Sequence, residues 1–302
     1  MTSWLALLVA LLALAALPFV AEAMRRPADP GKAPGQIAYL PSGATHYRWH
    51  GPESGPVALC VHGLTTPSFV FDPLANLLAQ RGIRVLTYDL PGRGFSEPVQ
   101  EPQDSELFCR QISELLAHQG LARVDLLIGY SMGGAIATRF AATAPDQCAR
   151  LVMLAGSGLL YTPGTLAQLV TRVPLLGDWL FLTLGGVLMR RDLSRRDAPI
   201  ARLQRAQTRR RGFLPSTLSA MRHMLARHLG GDHRDLADRG LPLLAVWGTD
   251  DPVIPVSNVG RLAELNRAAR QVTVDEAGHG LPYTHPEDMA AAIGEFLADT
   301  GG

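Results

Sequence analysis

The sequence is poor in the residue types that build disulfide frameworks and metal sites. Its 302 residues include only three cysteines, Cys60, Cys109 and Cys148, too few for a disulfide framework. Without a CxxC motif or a Cys/His cluster, the sequence predicts no metal site, and each cysteine is expected to pack as a small hydrophobe. A phosphate-binding loop and a dinucleotide fingerprint are also missing, so no organic cofactor is implied.

Charge is scarce and nearly balanced. Charged residues make up 18% of the chain and the formal net charge is +1, which gives no argument for a nucleic-acid partner. A chain of this length accommodates one large α/β domain with an insertion, or two small domains. We favour the single domain with an insertion.

Lysine and arginine are absent before the apolar run at the N-terminus. Residues 4–21 carry no charge and as a helix would span about 27 Å, close to the hydrocarbon thickness of a bilayer. The basic residues Arg25, Arg26 and Lys32 follow the run, whereas a signal peptide normally has them in front. We therefore predict that residues 1–24 are an uncleaved membrane anchor followed by a cytoplasmic domain. The alternative is a signal peptide cleaved after Ala23 at an A-x-A-like site, which would give a secreted or periplasmic domain.

Residues 25–35 are rich in proline and glycine and predict a linker. After them, apolar runs alternate with helical patterns up to residue 156, and this alternation resumes at residue 241. We predict strands over 44–50, 56–61, 83–88, 124–128, 151–154, 243–247 and 271–274, and helices over 71–81, 105–118 and 135–144. The first strand is expected at the sheet edge, with His46 and His50 as surface residues. The pattern predicts an α/β fold with a mostly parallel sheet in residues 36–156 and 241–302, and a helical cap in residues 157–240.

The centre of the sequence is residues 124–145, VDLLIGYSMGGAIATRFAATAP, which predict a buried strand, a tight turn and a helix. Within it, G-x-S-x-G in this context is typical of a nucleophile elbow, where Ser131 occupies a strained turn and side chains at the glycines would collide with backbone. The helix starts at the serine. Its free N–H groups therefore lie where negative charge develops during attack on a carbonyl.

Two further loops follow buried strands. Leu64 comes directly after residues 56–61, His62 and Gly63, and its backbone N–H is expected to form an oxyanion hole together with that of Met132. We interpret His62 as a structural residue that braces this loop. Asp89 opens a turn-rich loop at residues 89–96 and is expected to accept hydrogen bonds from N–H groups of the loop.

An acid and a histidine complete the candidate site, in the chain order Ser, Asp, His. Asp251 follows the strand 243–247, and His279 follows the strand 271–274. A serine hydroxyl needs a neighbouring imidazole to take its proton, and the imidazole needs a carboxylate to fix its tautomer. Ser131 is therefore assigned as the nucleophile, His279 as general base and then general acid, and Asp251 as the orienting carboxylate. Asp250 and His285 are the weaker alternatives.

These motifs together resemble the α/β-hydrolase superfamily over residues 36–302. In the family pattern W-G-x-x-D, the acid is the fourth residue after tryptophan, which selects Asp251. The resemblance implies an α/β-hydrolase fold, and a serine at the elbow implies hydrolysis of esters. The apolar N-terminus, the predicted cap and the sequence GYSMGG resemble membrane-anchored monoacylglycerol-lipase-like esterases, which implies a lipophilic ester substrate and no cofactor.

Other functions remain open for the same residues. Hydrolases of C–C bonds in meta-cleavage products share the fold but often carry a Gly-Pro-Gly loop, where this chain has LTTP at residues 64–67. A perhydrolase or an acyltransferase would use the same triad. A non-catalytic scaffold tethered to the membrane is an alternative of another class, and it would not need an intact Ser131, Asp251 and His279.

The predicted cap contains an apolar stretch followed by an arginine-rich one. Residues 173–189 could line an acyl pocket, enter the membrane interface or pack on the core. The arginines that follow are opposed between residues 190 and 227 only by Asp192 and Asp197. They are Arg190, Arg191, Arg195, Arg196, Arg202, Arg205, Arg209, Arg210, Arg211, Arg222 and Arg227. They predict either contact with anionic lipid headgroups or a solvated helical face.

Overall fold

The computed structural model describes residues 2–160, 164–194 and 199–301, and the described residues form one eight-stranded sheet. The strands are β1 (Gln36–Leu40), β2 (Gly43–His50), β3 (Val57–Val61), β4 (Arg84–Tyr88), β5 (Leu126–Tyr130), β6 (Leu151–Leu154), β7 (Leu243–Gly248) and β8 (Arg270–Val274). Their order is β1-β2-β4-β3-β5-β6-β7-β8. β1 and β2 are antiparallel to their neighbours, and the remaining strands pair in parallel. The predicted mostly parallel sheet is confirmed.

The central strands are buried at every residue. This holds for β3, β5, β6 and β7, because helices cover both faces of the sheet. Because these strands are continuous apolar runs, the sequence predicted each of their ends to within two residues.

The start of the sheet differs from the prediction. β2 is not an edge strand, because β1, which we did not predict, pairs with it on one side and β4 on the other. His46 in β2 is buried with 2% exposure, so its prediction as a surface residue is wrong. Its ring instead forms a hydrogen bond with Asp89 across 43 positions of sequence.

The described residues also form thirteen α-helices. They are α1 (Thr2–Ala23), α2 (Asp72–Gln80), α3 (Ser105–His118), α4 (Met132–Thr143), α5 (Thr165–Arg172), α6 (Leu176–Leu180), α7 (Gly186–Ser194), α8 (Pro199–Gln207), α9 (Phe213–His223), α10 (Gly230–Asp238), α11 (Asn258–Leu265), α12 (Leu281–Thr284) and α13 (Pro286–Asp299). A π-helix, Phe181–Gly185, joins α6 to α7. One core layer holds α3, α4, α10 and α11, and the other holds α2, α12 and α13.

Helices α5 to α10 lie between β6 and β7, and we call them the inserted helices. A separate small apolar cluster, comprising Val170, Phe181, Phe213, Leu214 and Leu218, holds several of them together. The predicted arginines Arg195 and Arg196, and Asp197 beside them, lie outside the described residues.

Helix α1 projects an almost wholly exposed apolar surface. Its residues Ser3–Ala23 are long and apolar enough to cross a membrane. Its C-terminal end is fixed to the inserted helices by polar contacts. Glu22, which is buried, accepts a hydrogen bond of 2.7 Å from the Gly212 N–H, and Arg25 donates one of 2.9 Å to the Thr208 carbonyl.

Candidate active site

Ser131 stands between β5 and α4 in a backbone conformation that few residues adopt. Its φ is 55° and its ψ is −121°, outside the regions that are unstrained for a residue with a side chain. Such strain costs on the order of 1–3 kcal/mol and is typical of functional sites. The turn is as sharp as the sequence predicts, and α4 begins at the next residue.

The neighbouring glycines permit this turn because backbone packs against them. A Cβ at Gly129 would lie 2.3 Å from the carbonyl oxygen of Gly133, and one at Gly133 would lie 1.9 Å from that of Val61. Real Cβ atoms do not approach backbone so closely. Both glycines are therefore required for α4 to pack against β3 and to present Ser131 at the end of β5.

The structure brings the three predicted side chains into one hydrogen-bonded line. His279 Nε2 lies 2.9 Å from Ser131 Oγ, and His279 Nδ1 lies 2.8 Å from Asp251 Oδ2. The other carboxylate oxygen of Asp251 accepts hydrogen bonds of 2.7 and 2.9 Å from the N–H groups of Val253 and Ile254. These bonds fix the orientation of a carboxylate whose side chain is fully buried.

The two weaker candidates, Asp250 and His285, take no part in this hydrogen-bonded line. Asp250 is exposed, and its neighbour Asp251, not Asp250, faces the imidazole. His285 is the residue before α13, and its ring contacts the Thr284 hydroxyl at 2.9 Å. Both residues therefore lie outside the hydrogen-bonded line, although His285 lines the same cavity as Ser131 and His279.

The two predicted oxyanion donors flank Ser131. Met132 is the first residue of α4, where backbone N–H groups have no acceptor within the helix. The loop that carries Leu64 passes against the serine, since a Cβ at Gly63 would lie 3.1 Å from Ser131 Cβ. Among the described residues, neither the Leu64 N–H nor the Met132 N–H has a hydrogen-bond acceptor.

A cavity of about 690 Å³ opens over these residues. Its floor contains Ser131, His279 and Leu64, and its walls include Met189 of α7 and Ile200 of α8. Mostly apolar walls with a few polar groups at one end are typical of sites for small organic molecules. The inserted helices therefore form part of the cavity wall.

A buried polar network supports the loop that carries Leu64. His62 donates to the Gly63 carbonyl at 2.7 Å and accepts from the Leu90 N–H at 2.9 Å, so it braces the loop as predicted. Burial lowers the pKa of His62 to about 4, and its ring is neutral at pH 7.

Asp89 has the structural role predicted from sequence. Its carboxylate accepts hydrogen bonds from the N–H groups of Ser68 and Phe95 and from the ring of His46. Burial acts to raise the pKa of Asp89, but the hydrogen bond and charge of His46, the charge of His62 and the Phe95 N–H outweigh it and lower the pKa below its ordinary value.

Arg93 is a residue of the site region that the sequence analysis missed. It is fully buried and donates to the carbonyls of Leu64, Pro91 and Ser216, the last in α9. Burial lowers its pKa to about 9. Arg93 therefore connects the oxyanion loop to the inserted helices. An arginine within a glycine-rich loop carries no sequence signal for this role.

Tyr130 was also missed. Its ring centroid lies 5.3 Å from that of His279, so it packs beside the imidazole. The only available signal was its position before the serine in G-x-S-x-G.

The arginine-rich stretch is not uniformly solvated. Arg210 stacks on Phe95 at 4.5 Å, Arg222 pairs with Asp178 at 2.8 Å, and Arg227 pairs with Glu106 at 3.3 Å. Arg202, Arg209 and Arg211 are exposed. The stretch therefore combines structural arginines with exposed ones.

In the part of the chain that the structure describes, no group of three His, Cys, Asp or Glu residues is placed to hold a metal ion. The polar groups that line the cavity include those of Ser131, His279 and the loop that carries Leu64. Their arrangement suits attack by a hydroxyl oxygen on a carbonyl carbon.

Comparisons with known proteins identify relatives of this chain. A dihydrolipoyllysine-residue acetyltransferase component of an acetoin cleaving system from Pseudomonas putida is 30% identical over 262 residues, covering 83% of this chain and 66% of that relative. This chain thus spans just under two thirds of that protein. A pimeloyl-[acyl-carrier protein] methyl ester esterase from Aeromonas salmonicida is 28% identical over 257 residues, covering 80% of this chain and 96% of the relative.

Among solved structures, a bacterial membrane phospholipase A shares the fold with a TM-score of 0.71 at 22% identity, covering 99% of each chain. A sequence profile described as the alpha/beta hydrolase family matches residues 58–292. That range includes Ser131, Asp251 and His279. The chain belongs to the alpha/beta hydrolase family and is a hydrolytic enzyme.

Proposed function

We propose that this protein is a serine hydrolase that cleaves lipophilic carboxylic esters through an acyl-enzyme intermediate. The observation that carries the proposal is the continuous hydrogen-bonded line from Ser131 Oγ through His279 to the buried Asp251 at the floor of an apolar cavity. A non-catalytic scaffold would have no need of this alignment.

In the first half of the reaction, His279 Nε2 takes the proton from Ser131 Oγ as the oxygen attacks the ester carbonyl. Asp251 accepts the Nδ1–H bond, holds the ring in the required tautomer and stabilises the imidazolium that forms. The carbonyl oxygen gains negative charge and is stabilised by the N–H groups of Leu64 and Met132. When the intermediate collapses, His279 returns the proton to the leaving alcohol.

In the second half, water replaces the alcohol. His279 takes a proton from this water as it attacks the acyl-Ser131 carbonyl, and the same two N–H groups stabilise the second intermediate. Collapse releases the carboxylic acid and returns the proton to Ser131. The reaction needs no group that this chain does not supply apart from substrate and water.

The size and lining of the cavity support a lipophilic acyl or alcohol group. A volume of about 690 Å³ lies in the range that binds whole small molecules. Met189, Leu193 and Ile200 of the inserted helices present apolar surface to it, so we propose that these helices are a cap that binds the acyl chain. The named activities of the Aeromonas esterase and the membrane phospholipase A, both of which cleave esters, fit this substrate class.

We propose that α1 is a membrane anchor. The membrane phospholipase A is matched over 99% of this chain, a share that includes most of α1. Arg25, Arg26 and Lys32 follow the helix, which supports a cytoplasmic catalytic domain by the positive-inside rule. The exposed arginines of the inserted helices would then face the anionic cytoplasmic leaflet. Cleavage after Ala23 would instead give a periplasmic or secreted enzyme.

The test is hydrolysis of p-nitrophenyl esters of increasing acyl length by the full chain in detergent micelles, with Ser131→Ala as the matched control. We expect turnover that rises with chain length, and a loss of several orders of magnitude in the variant, because the triad acts as a unit. Turnover that survives in Ser131→Ala would remove the assignment of the nucleophile. Inactivity of the wild-type chain on every ester would favour C–C hydrolysis or the scaffold.

A further inference from the structure

Exposed large apolar side chains are concentrated on one part of the protein. Apart from those of α1 and Met24, all but three lie between residues 160 and 203, the exceptions being Tyr39, Val253 and Val256. We call seven of them the docking face: Leu166, Leu169, Leu175, Leu176, Leu184, Val187 and Leu188. Leu175 is 77% exposed. Soluble monomers rarely expose grouped apolar residues in this way unless the surface has a partner.

The docking face continues the apolar surface of α1. The helix contacts α6 and the π-helix Phe181–Gly185, and these elements contact α5 and α7 in turn. Trp179 of α6 donates a hydrogen bond of 3.3 Å from its indole N–H to the Leu14 carbonyl of α1. The two surfaces are therefore side by side.

This contact fixes how far α6 reaches along α1. Leu14 lies nine residues before the end of α1 at Ala23, which corresponds to about 13 Å along the helix axis. Half of the hydrocarbon layer is about 15 Å thick. If α1 spans the membrane, α6 lies beside its C-terminal half, within one leaflet.

Asp178 and Thr183, which lie near this face, are paired within the protein, as a lipid environment requires. Asp178 pairs with Arg222 at 2.8 Å, and the Thr183 hydroxyl donates to the Trp179 carbonyl at 2.6 Å.

Positive charge is grouped where α1 ends. The Arg211 N–H donates to the Arg26 carbonyl at 2.9 Å, and both side chains are exposed. Burial lowers the pKa of Arg190, and the charges of Arg209 and Arg25 nearby lower it further. These cations lie at the level where lipid phosphates would meet the end of a membrane-spanning α1.

We infer that the docking face inserts into the same bilayer leaflet as the C-terminal half of α1, with the arginines around Arg26 and Arg211 at the headgroups. The partner is a lipid bilayer, selected by the continuity of the docking face with α1 and by the charge at its border. This inference rests on the proposed membrane anchor and not on the proposed catalytic roles.

The arrangement deepens the proposed substrate class. Helix α7 presents Met189 and Leu193 to the active-site cavity and exposes Val187 and Leu188 on the docking face. A single helix therefore separates the cavity from the lipid. Esters resident in the bilayer are the substrates that such a cavity reaches most directly.

The experiment places an environment-sensitive fluorophore on single introduced cysteines in the full chain, reconstituted in phosphatidylcholine vesicles with lipids brominated in the acyl chain. Leu176→Cys reports the docking face, and Val187→Cys repeats the measurement on α7. Leu8→Cys reports α1, and Ala291→Cys on α13 is the matched control, because α13 packs against α2 and β8. The unmodified chain corrects for labelling of its own cysteines.

We expect the brominated lipid to quench the labels at Leu176, Val187 and Leu8, with no quenching at Ala291. Quenching at Leu8 without quenching at Leu176 and Val187 would overturn the docking face and leave the anchor standing. A lack of quenching at all positions would overturn the anchor and the docking face together. Thermal unfolding of each labelled chain verifies that it is folded. Because the readout is quenching, the result is independent of the proposed ester hydrolysis.

Discussion

Replacing Asp251 with asparagine tests the proposed triad most directly, because the surrounding bonds dictate how the amide must lie. The N–H groups of Val253 and Ile254 donate to one oxygen of Asp251, so the amide oxygen of Asp251→Asn takes that position. Its NH₂ group then faces His279 Nδ1, which must accept a hydrogen bond instead of donating one.

The consequence is the wrong tautomer of His279. With Nδ1 acting as acceptor, the ring proton resides on Nε2 and points at Ser131 Oγ, so the imidazole has no lone pair for the serine proton. The same exchange in a serine protease triad lowers kcat by about 10⁴, or roughly 5 kcal/mol in activation free energy. We expect a loss of this order, with the fold intact because both N–H donors keep an acceptor.

The assay is kcat for p-nitrophenyl ester hydrolysis by the wild-type chain, Asp251→Asn and Asp250→Asn. Asp250 is an exposed neighbour of the same chemistry, so its variant should hydrolyse at nearly the wild-type rate. Turnover by Asp251→Asn within tenfold of wild type would refute the tautomer argument. A severe loss in Asp250→Asn alone would move the orienting acid by one residue.

The remaining predictions concern positions whose surroundings give a clear sign. Gly133→Ala should lower the free energy of unfolding by more than about 3 kcal/mol or prevent folding, because its Cβ would lie 1.9 Å from a carbonyl oxygen of β3. Gly231→Ala is the control, since nothing lies within 4 Å of its added Cβ, and it should leave this free energy unchanged or raise it. Denaturant titration measures both. Arg93→Met should lower kcat about tenfold or more with little change in KM, since it releases Leu64, and Arg93→Lys should restore part of the rate; an equal rise in KM would indicate a merely structural role. His233 is buried, neither ring nitrogen has a partner among the described residues, and burial lowers its pKa to about 4. In the unfolded chain, His233 binds a proton below about pH 6.5, whereas in the folded protein it stays neutral until about pH 4. On the order of 3 kcal/mol of stability is therefore lost as the pH falls from about 6.5 to about 4. His233→Leu should raise the free energy of unfolding and reduce its slope between those pH values, and an unchanged slope would contradict the assignment.

The parts of the fold that could be predicted are those encoded locally. β3, β5, β6 and β7 are short apolar runs bounded by turn residues, and each could be identified without its neighbours. Ser131 and Asp251 follow two of these strands and His279 follows β8, and in a parallel sheet the carboxyl ends of strands share one edge. Their convergence was therefore predictable, while the distances between them were not.

The parts that could not be predicted depend on long-range pairing. β2 alternates polar and aromatic residues, which is the pattern of an edge strand with one wet face, yet β1 covers its edge. His46 is a polar residue that the local pattern places outside. It lies inside because Asp89, on a loop that follows β4, provides a buried hydrogen-bond partner. The alternation of residues within β2 does not show that a distant carboxylate will pair with His46.

The contact between the inserted helices and the oxyanion loop also depends on residues far apart in the sequence, so the local pattern could not predict it. Arg93 can be buried only because carbonyl groups from three separate segments accept its hydrogen bonds, and one of them, at Ser216, belongs to the insertion. Gln204 of α8 adds a second buried contact, to the Thr66 hydroxyl. The helices that wall the substrate cavity are therefore bonded to the loop that supplies an oxyanion donor. A change in the insertion that disturbs these bonds should alter kcat as well as substrate preference, because the same helices set both the cavity shape and the position of the Leu64 N–H.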